Sequence, residues 1–354
     1  MQEGTPVAAQ VAAIPPKIRE QAKALVTKRF KYIQDRDNTF KALAHIGLER
    51  AMLDMVNNPG DFETEPIQGG DSAAKALDPL DILRKELQLP ALPQVFLELQ
   101  QAINAPNTSS DDLAKIISQD PSLTAFLLRM VNSAFYSLPI QIDTITRAVT
   151  VVGVNQLTTL AVGTSVLSLF KDVPEEIVNM ERFWKHSIGV GIIARKLCKL
   201  SGQGDPERSF VAGLLHDIGQ LVLLKTVPAR AGGVINHGRN NQMLLFEAEK
   251  ELLGFDHATL GGMLLRKWNF PYVLVSAVLE HHQPKRNQKE AEPKLVHCAE
   301  TIATGLGIGS SGEFFTQPPD RAVWESLELT PDKLEVLIED LDEELDEAFS
   351  ILIA

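Results

Sequence analysis

Seven of the eight histidines in this chain lie between residues 186 and 297, and one of them, His216, stands beside Asp217 inside the apolar run FVAGLLHDIGQLVLL. Burying an imidazole and a carboxylate without partners costs several kcal/mol. The pair must therefore satisfy itself and nearby backbone groups, or hold a metal ion. The other histidines bear on that choice. His186 sits in FWKHSIGVGIIARKL, Asp256-His257 in GFDHATLGGMLL, and His281-His282 closes PYVLVSAVLEHH. Imidazole suits a divalent transition metal, and carboxylates complete such shells. No short HExxH-type signature is present, so any metal must be gathered from segments far apart in the chain.

Each of these stretches has helical spacing, which lets several helices converge on one interior site. The elements around them read the same way. Asp120-Pro121 is an N-cap followed by proline at the first helical position, and Thr330-Pro331 repeats that signature. ITRAVTVVGVNQLTTLAVGTSVLSLF carries apolar residues at helical period and little strict alternation, which predicts helices rather than a strand. Residues 1–16 read as disordered and 57–72 as a turn-rich acidic linker. Between them lies a helical stretch whose first half is basic, with Lys17, Arg19, Lys23, Lys28, Arg29 and Lys31. At the other end Leu334, Leu337, Leu341, Leu345 and Phe349 form one apolar stripe among many acids, a helix expected to dock on the body or on the basic N-terminal helices.

Composition limits the function classes. The 354 residues carry 34 basic and 46 acidic side chains, a net charge of −12, which argues against bulk nucleic-acid binding. Two cysteines, Cys198 and Cys298, make no disulfide framework and suit a reducing cytoplasm. No apolar run reaches membrane-spanning length.

The motif LHDIG after an upstream His186 resembles the HD superfamily of metal-dependent phosphohydrolases. The segments LPALPQVFLELQQAI, IISQDPSLTAFLLRMVNSAFYSLPIQIDTITRAVTVVGVNQL and GFDHATLGGMLLRKWNFP narrow the resemblance to the HDOD domain, a bacterial signalling branch of that superfamily, over roughly residues 80–305. The resemblance implies an all-α fold: an N-terminal helical lobe (80–170) packed on an HD-like helical core (171–305). Residues 1–76 would be a helical extension with its linker, and 306–354 an acidic amphipathic C-terminal helix.

By the same resemblance His186, His216 and Asp217 fall where the ligands of one metal lie, and His257, His281 and His282 match the extra ligands of two-metal relatives such as HD-GYP phosphodiesterases. The aspartate that closes the superfamily pattern is here Glu300. One or two divalent ions (iron, manganese, zinc or nickel) are implied. Active HD-GYP relatives carry a phosphate-binding lysine where this chain has Gln220, and their GYP loop is replaced here by QPKRNQKEAEPK. A neutral amide cannot supply cationic stabilisation to a phosphoryl group. Three readings stand open. The first is a non-catalytic signalling module whose site binds metal or ligand, Gln220 included, and which works through protein partners or a small nucleotide. The second is a metal-dependent phosphohydrolase acting on a nucleotide or cyclic nucleotide, with Asp217 as its catalytic residue, placed to ligate or bridge metal. The third is a purely structural His216-Asp217 pair.

Overall fold

The computed structural model describes residues 11, 13–33, 37–59, 76–84, 93–105, 108–170, 173, 177–284 and 289–353. Residues 1–10 of the expected disordered start and most of the acidic linker lie outside them; the last residues of that start are ordered, with Ile14 buried and a helix beginning at Pro16. Among the described residues there are helices and no strand. The first two of the described helices are α1 (Pro16–Arg29) and α2 (Asn38–Asn57). A group of six follows: α3 (Pro79–Arg84), α4 (Gln94–Asn104), α5 (Ser110–Gln119), α6 (Pro121–Val131), α7 (Ile145–Val152) and α8 (Val154–Ser165). The second group holds α9 (Met180–Ser201), α10 (Pro206–Leu215), α11 (Ile218–Thr226), α12 (Pro228–Asn241), α13 (Leu245–Leu253), α14 (His257–Lys267), α15 (Tyr272–Glu280) and α16 (Glu292–Leu306). The chain closes with α17 (Arg321–Ser326), α18 (Pro331–Ile338) and α19 (Leu341–Ile353).

The helix starts are chemically marked. Asp120 accepts a hydrogen bond from the Leu123 N–H ahead of Pro121, and Thr330 accepts from Lys333 ahead of Pro331. Ser109 and Asp112 form a reciprocal capping box, and Asp205, Asp256 and Asn179 cap α10, α14 and α9. Gly153, at φ +99°, separates α7 from α8, so the Val- and Thr-rich stretch is two helices and not a strand.

Helix α9 is the axis of the molecule. Most of its residues are buried, and it packs against α10, α16 and α19. The crossing of α9 and α10 is close enough that a Cβ on Gly213 would lie 2.7 Å from the Gly191 backbone. A second approach of this kind holds α11 on α14, where a Cβ on Gly219 would meet the His257 carbonyl at 2.0 Å. These two glycine contacts bring the ends of α10 and α11 against α9 and α14, and so bring His216-Asp217 between His186 and His257.

Helix α2 packs on α1, α16 and α18, with Phe40 stacked on Trp324 at 4.5 Å between centroids and the Thr39 hydroxyl donating to Leu329 O at 2.9 Å. The tail differs from the expected single helix. Residues 307–320 form an irregular segment, and the stripe is split between α18 and α19 because Asp340 adopts a left-handed conformation, φ +58°. The stripe is nevertheless docked: Leu334, Leu337, Leu341 and Leu345 are buried, on α2, α9 and α6. The cations that meet its acids are Arg50, in a forked pair with Asp342 at 2.6 and 2.7 Å, and Lys196, 3.0 Å from Glu344. Neither belongs to the basic run at 17–31. No single helix among the described residues is long and apolar enough to cross a membrane.

Candidate metal centre

The six histidine and aspartate candidates and Glu300 come from five places in the chain and meet at one point. His186 projects from α9, His216 and Asp217 fill the joint between α10 and α11, and His257 opens α14. His281 and His282 follow the last residue of α15, and Glu300 lies on α16. His216, Asp217, His281 and Glu300 are 0, 3, 1 and 8% exposed, so the meeting point is interior. His282 is the more open member, and Phe246 stacks on its ring at 4.3 Å.

Two donor groups result. His186 Nε2 and His216 Nε2 lie 2.9 and 3.3 Å from Glu300 Oε2. His257, His281 and His282 form the second group, with the Nε2 atoms of His257 and His282 3.0 Å apart. Asp217 stands between them. Its Oδ2 is 3.2 Å from His216 Nε2, and its Oδ1 is 3.0 Å from His257 Nε2 and 4.0 Å from His281 Nε2.

All five rings are held by the other nitrogen. Nδ1 pairs with Ile308 O in His186 (3.1 Å), with Gly213 O in His216 (2.6 Å) and with Val278 O in His281 (2.8 Å). In His257 it pairs with Glu249 Oε2 (2.6 Å), and in His282 with Gln317 Oε1 (2.9 Å). A carbonyl or carboxylate oxygen can only accept, so Nδ1 carries the proton and the five Nε2 atoms face inward. That is the arrangement by which outer partners orient metal-binding imidazoles.

Electrostatics favours a cation at the centre. Burial works against charged imidazoles, yet Glu300 raises His186, and Asp217 with Glu300 carries His216 to about 10. His257 is likewise driven well above its ordinary range by Glu249 and Asp217. At His281 and His282 burial, helped by the neighbouring imidazoles, outweighs Asp217: His281 falls to about 3 and His282 well below normal. Burial would raise Asp217 and Glu300, but the surrounding imidazoles hold both carboxyls well below their usual range. Nε2 of His186, His216 and His281 and Oε2 of Glu300 are buried without hydrogen-bond geometry to any partner, which is costly unless an ion fills the gap. The donor chemistry fits a divalent transition metal in each group, with Asp217 able to serve both.

Several supporting residues were not visible in the sequence. Glu249, buried on α13, also accepts the His257 backbone N–H at 2.8 Å. Gln317 accepts from His282 Nδ1 and donates to His282 O at 3.0 Å. His297 Nδ1 donates to His281 O, and His297 Nε2 accepts the Asp320 N–H at 2.8 Å, so this histidine is a tie and not a donor to the centre. Their spacing from the ligands follows no helical or strand period, so no local signal marks them. Gln220 is buried, and lines with Glu249 a cavity of about 10 Å³, room for one water molecule at most.

The comparisons agree with this architecture. The HDOD domain model matches residues 89–284. An uncharacterised protein of Treponema pallidum (strain Nichols) is 27% identical over 208 residues, a match spanning 58% of this chain and 40% of that protein. An HDOD domain protein of unknown function from Geobacter sulfurreducens superposes with a TM-score of 0.61 at 24% identity, covering 77% of this chain and 96% of that one. A proposed phosphohydrolase from Shewanella amazonensis SB2B gives 0.59 at 28% identity, with 77% and 97% covered. With more than half of its length accounted for by the family model, and an all-helical fold shared with solved members, this chain belongs to the HDOD domain family.

Proposed function

We propose that this protein is a regulatory module in which the HD-type site holds divalent metal without turning over a phosphoester. The observation that carries the reading is enclosure. Catalytic metal sites keep an open position for substrate. Here the donor atoms of His186, His216, Asp217, His257 and His281 are buried, and His282, the more open ligand, lies under Phe246 and is clamped by Gln317. The segment 308–320 ties this cover down: Ile308 O meets His186, Ser310 N donates to Arg182 O, and Glu313 accepts from Leu245 N.

His186, His216, Asp217 and Glu300 would hold one ion, and Asp217, His257, His281 and His282 the other. Bound metal would supply Lewis acidity and a bound water of lowered pKa. Gln220, where a phosphate-binding cation would be needed, is neutral and walled in. The module would then signal by shape to a protein partner. Elemental analysis of protein purified without chelator or histidine tag, followed by assays on bis(p-nitrophenyl) phosphate and cyclic dinucleotides, tests the reading. One or two metal equivalents and no turnover are expected; robust turnover by the metal-loaded protein would replace it with a phosphohydrolase, the reading favoured by the shared position of Asp217.

A further inference from the structure

A second cavity lies away from the metal centre. It measures about 490 Å³ and lies between the two helix groups, lined on one side by α4 and α8 and on the other by α10 and the α14–α15 joint. That volume is within the ~300–1,000 Å³ range of small-molecule sites. Its floor is apolar, from Val162, Phe270 and Leu274, and its rim carries neutral amides, Asn155, Gln156 and Asn269. Among the described residues the side chains of these three have no hydrogen-bond partner.

One cation faces the cleft. Arg208 is half-exposed and ion-paired through Nε at 3.7 Å with Glu292 and with Asp205, a carboxylate that also lines the cleft; neither pair reaches hydrogen-bond distance, so the guanidinium donors are still available to a ligand. Helices α8 and α15 begin at the cleft with no side-chain cap. Their first-turn N–H groups add positive potential beside the guanidinium.

We infer that this cleft is a binding site for a nucleoside monophosphate. Amide side chains offer donors and acceptors side by side, which matches the edge of a heterocycle, while its faces meet the apolar floor. The single phosphate goes to Arg208. The inference is independent of the metal reading, because no ligand of the metal centre lines the cleft. The position has a consequence for signalling. Helix α10 starts at the cleft and ends at His216-Asp217, and α15 starts there and ends at His281-His282, so an occupant touches both helices that end at the metal centre.

The test is calorimetric titration of the full chain with AMP, GMP, CMP and UMP and with the matching nucleosides. EDTA is present throughout, so that phosphate captured by a metal ion is not counted. At least one monophosphate should bind once per chain, and its nucleoside about tenfold or more weaker, as loss of a charged contact requires. Asn155→Asp puts a carboxylate in the first turn of α8, where it suits the helix but repels phosphate. It should weaken binding about tenfold with an unchanged melting temperature, and Thr159→Phe should block the cleft. No saturation at roughly millimolar nucleotide, equal binding of nucleoside and monophosphate, or binding unchanged in Asn155→Asp would each overturn the inference.

Discussion

A single oxygen of Glu249, Oε2, accepts both the Nδ1–H of His257 at 2.6 Å and the His257 backbone N–H at 2.8 Å. Side chain and main chain of this histidine are thus fixed from one buried point, and its Nε2 is aimed at Asp217.

Replacing Glu249 should therefore damage metal binding without touching a ligand. Glu249→Gln keeps an acceptor but removes the charge that raises the basicity of the ring. An affinity loss of about 10–100-fold is expected for the ion at His257, His281 and His282. Chelator competition would measure it, and an unchanged affinity would remove Glu249 from the centre.

The two donor groups should be separable. Glu300→Ala takes away the carboxylate that meets His186 and His216 and should cost one metal equivalent, leaving the other in place. His282→Ala should do the converse. Loss of both equivalents in either variant would mean one site shared by all seven groups.

The docked tail separates packing from charge. Leu337 is 1% exposed, and Leu337→Ala should cost about 2–5 kcal/mol. Arg50→Ala breaks the forked pair with Asp342, a carboxylate 66% exposed, and should cost about 1 kcal/mol or less, shrinking further in salt. Denaturant titrations at two ionic strengths distinguish the variants, and amide exchange over 331–352 should be protected in the native protein.

Stability should fall between mildly acidic and neutral pH through Glu313. Burial pushes its carboxyl up to about 7, against the three backbone N–H groups that favour its charged form. A carboxyl raised in the fold contributes fully below its unfolded value, near 4.5, and that contribution is lost as pH rises through 7. Glu313→Gln should flatten this window and gain relative to the native protein above it. A parallel pH profile for the two would assign the slope elsewhere.

That the histidines and acids would meet was legible because the resemblance groups them position by position, and the caps at Asp120 and Thr330 because capping is a local matter. Glu249, Gln317 and His297 act across tertiary contacts, 8, 35 and 16 residues from the histidines they hold. A sequence period carries no trace of such distances. The tail was legible as an apolar stripe but not as two helices, since Asp340 turns left-handed without a glycine to announce it.

Helix α2 has a consequence for synthesis. It leaves the ribosome well before Trp324, Leu329 and the helices α16 and α18 that cover it, which belong to residues 292–338. At ~5–20 residues per second, its apolar face waits on the order of ten seconds to a minute for its partners. A nascent chain stalled before residue 292 would therefore present Phe40 and Leu43 to solvent. In the cell that face would be a surface for a holdase chaperone to cover until residues 292–338 arrive.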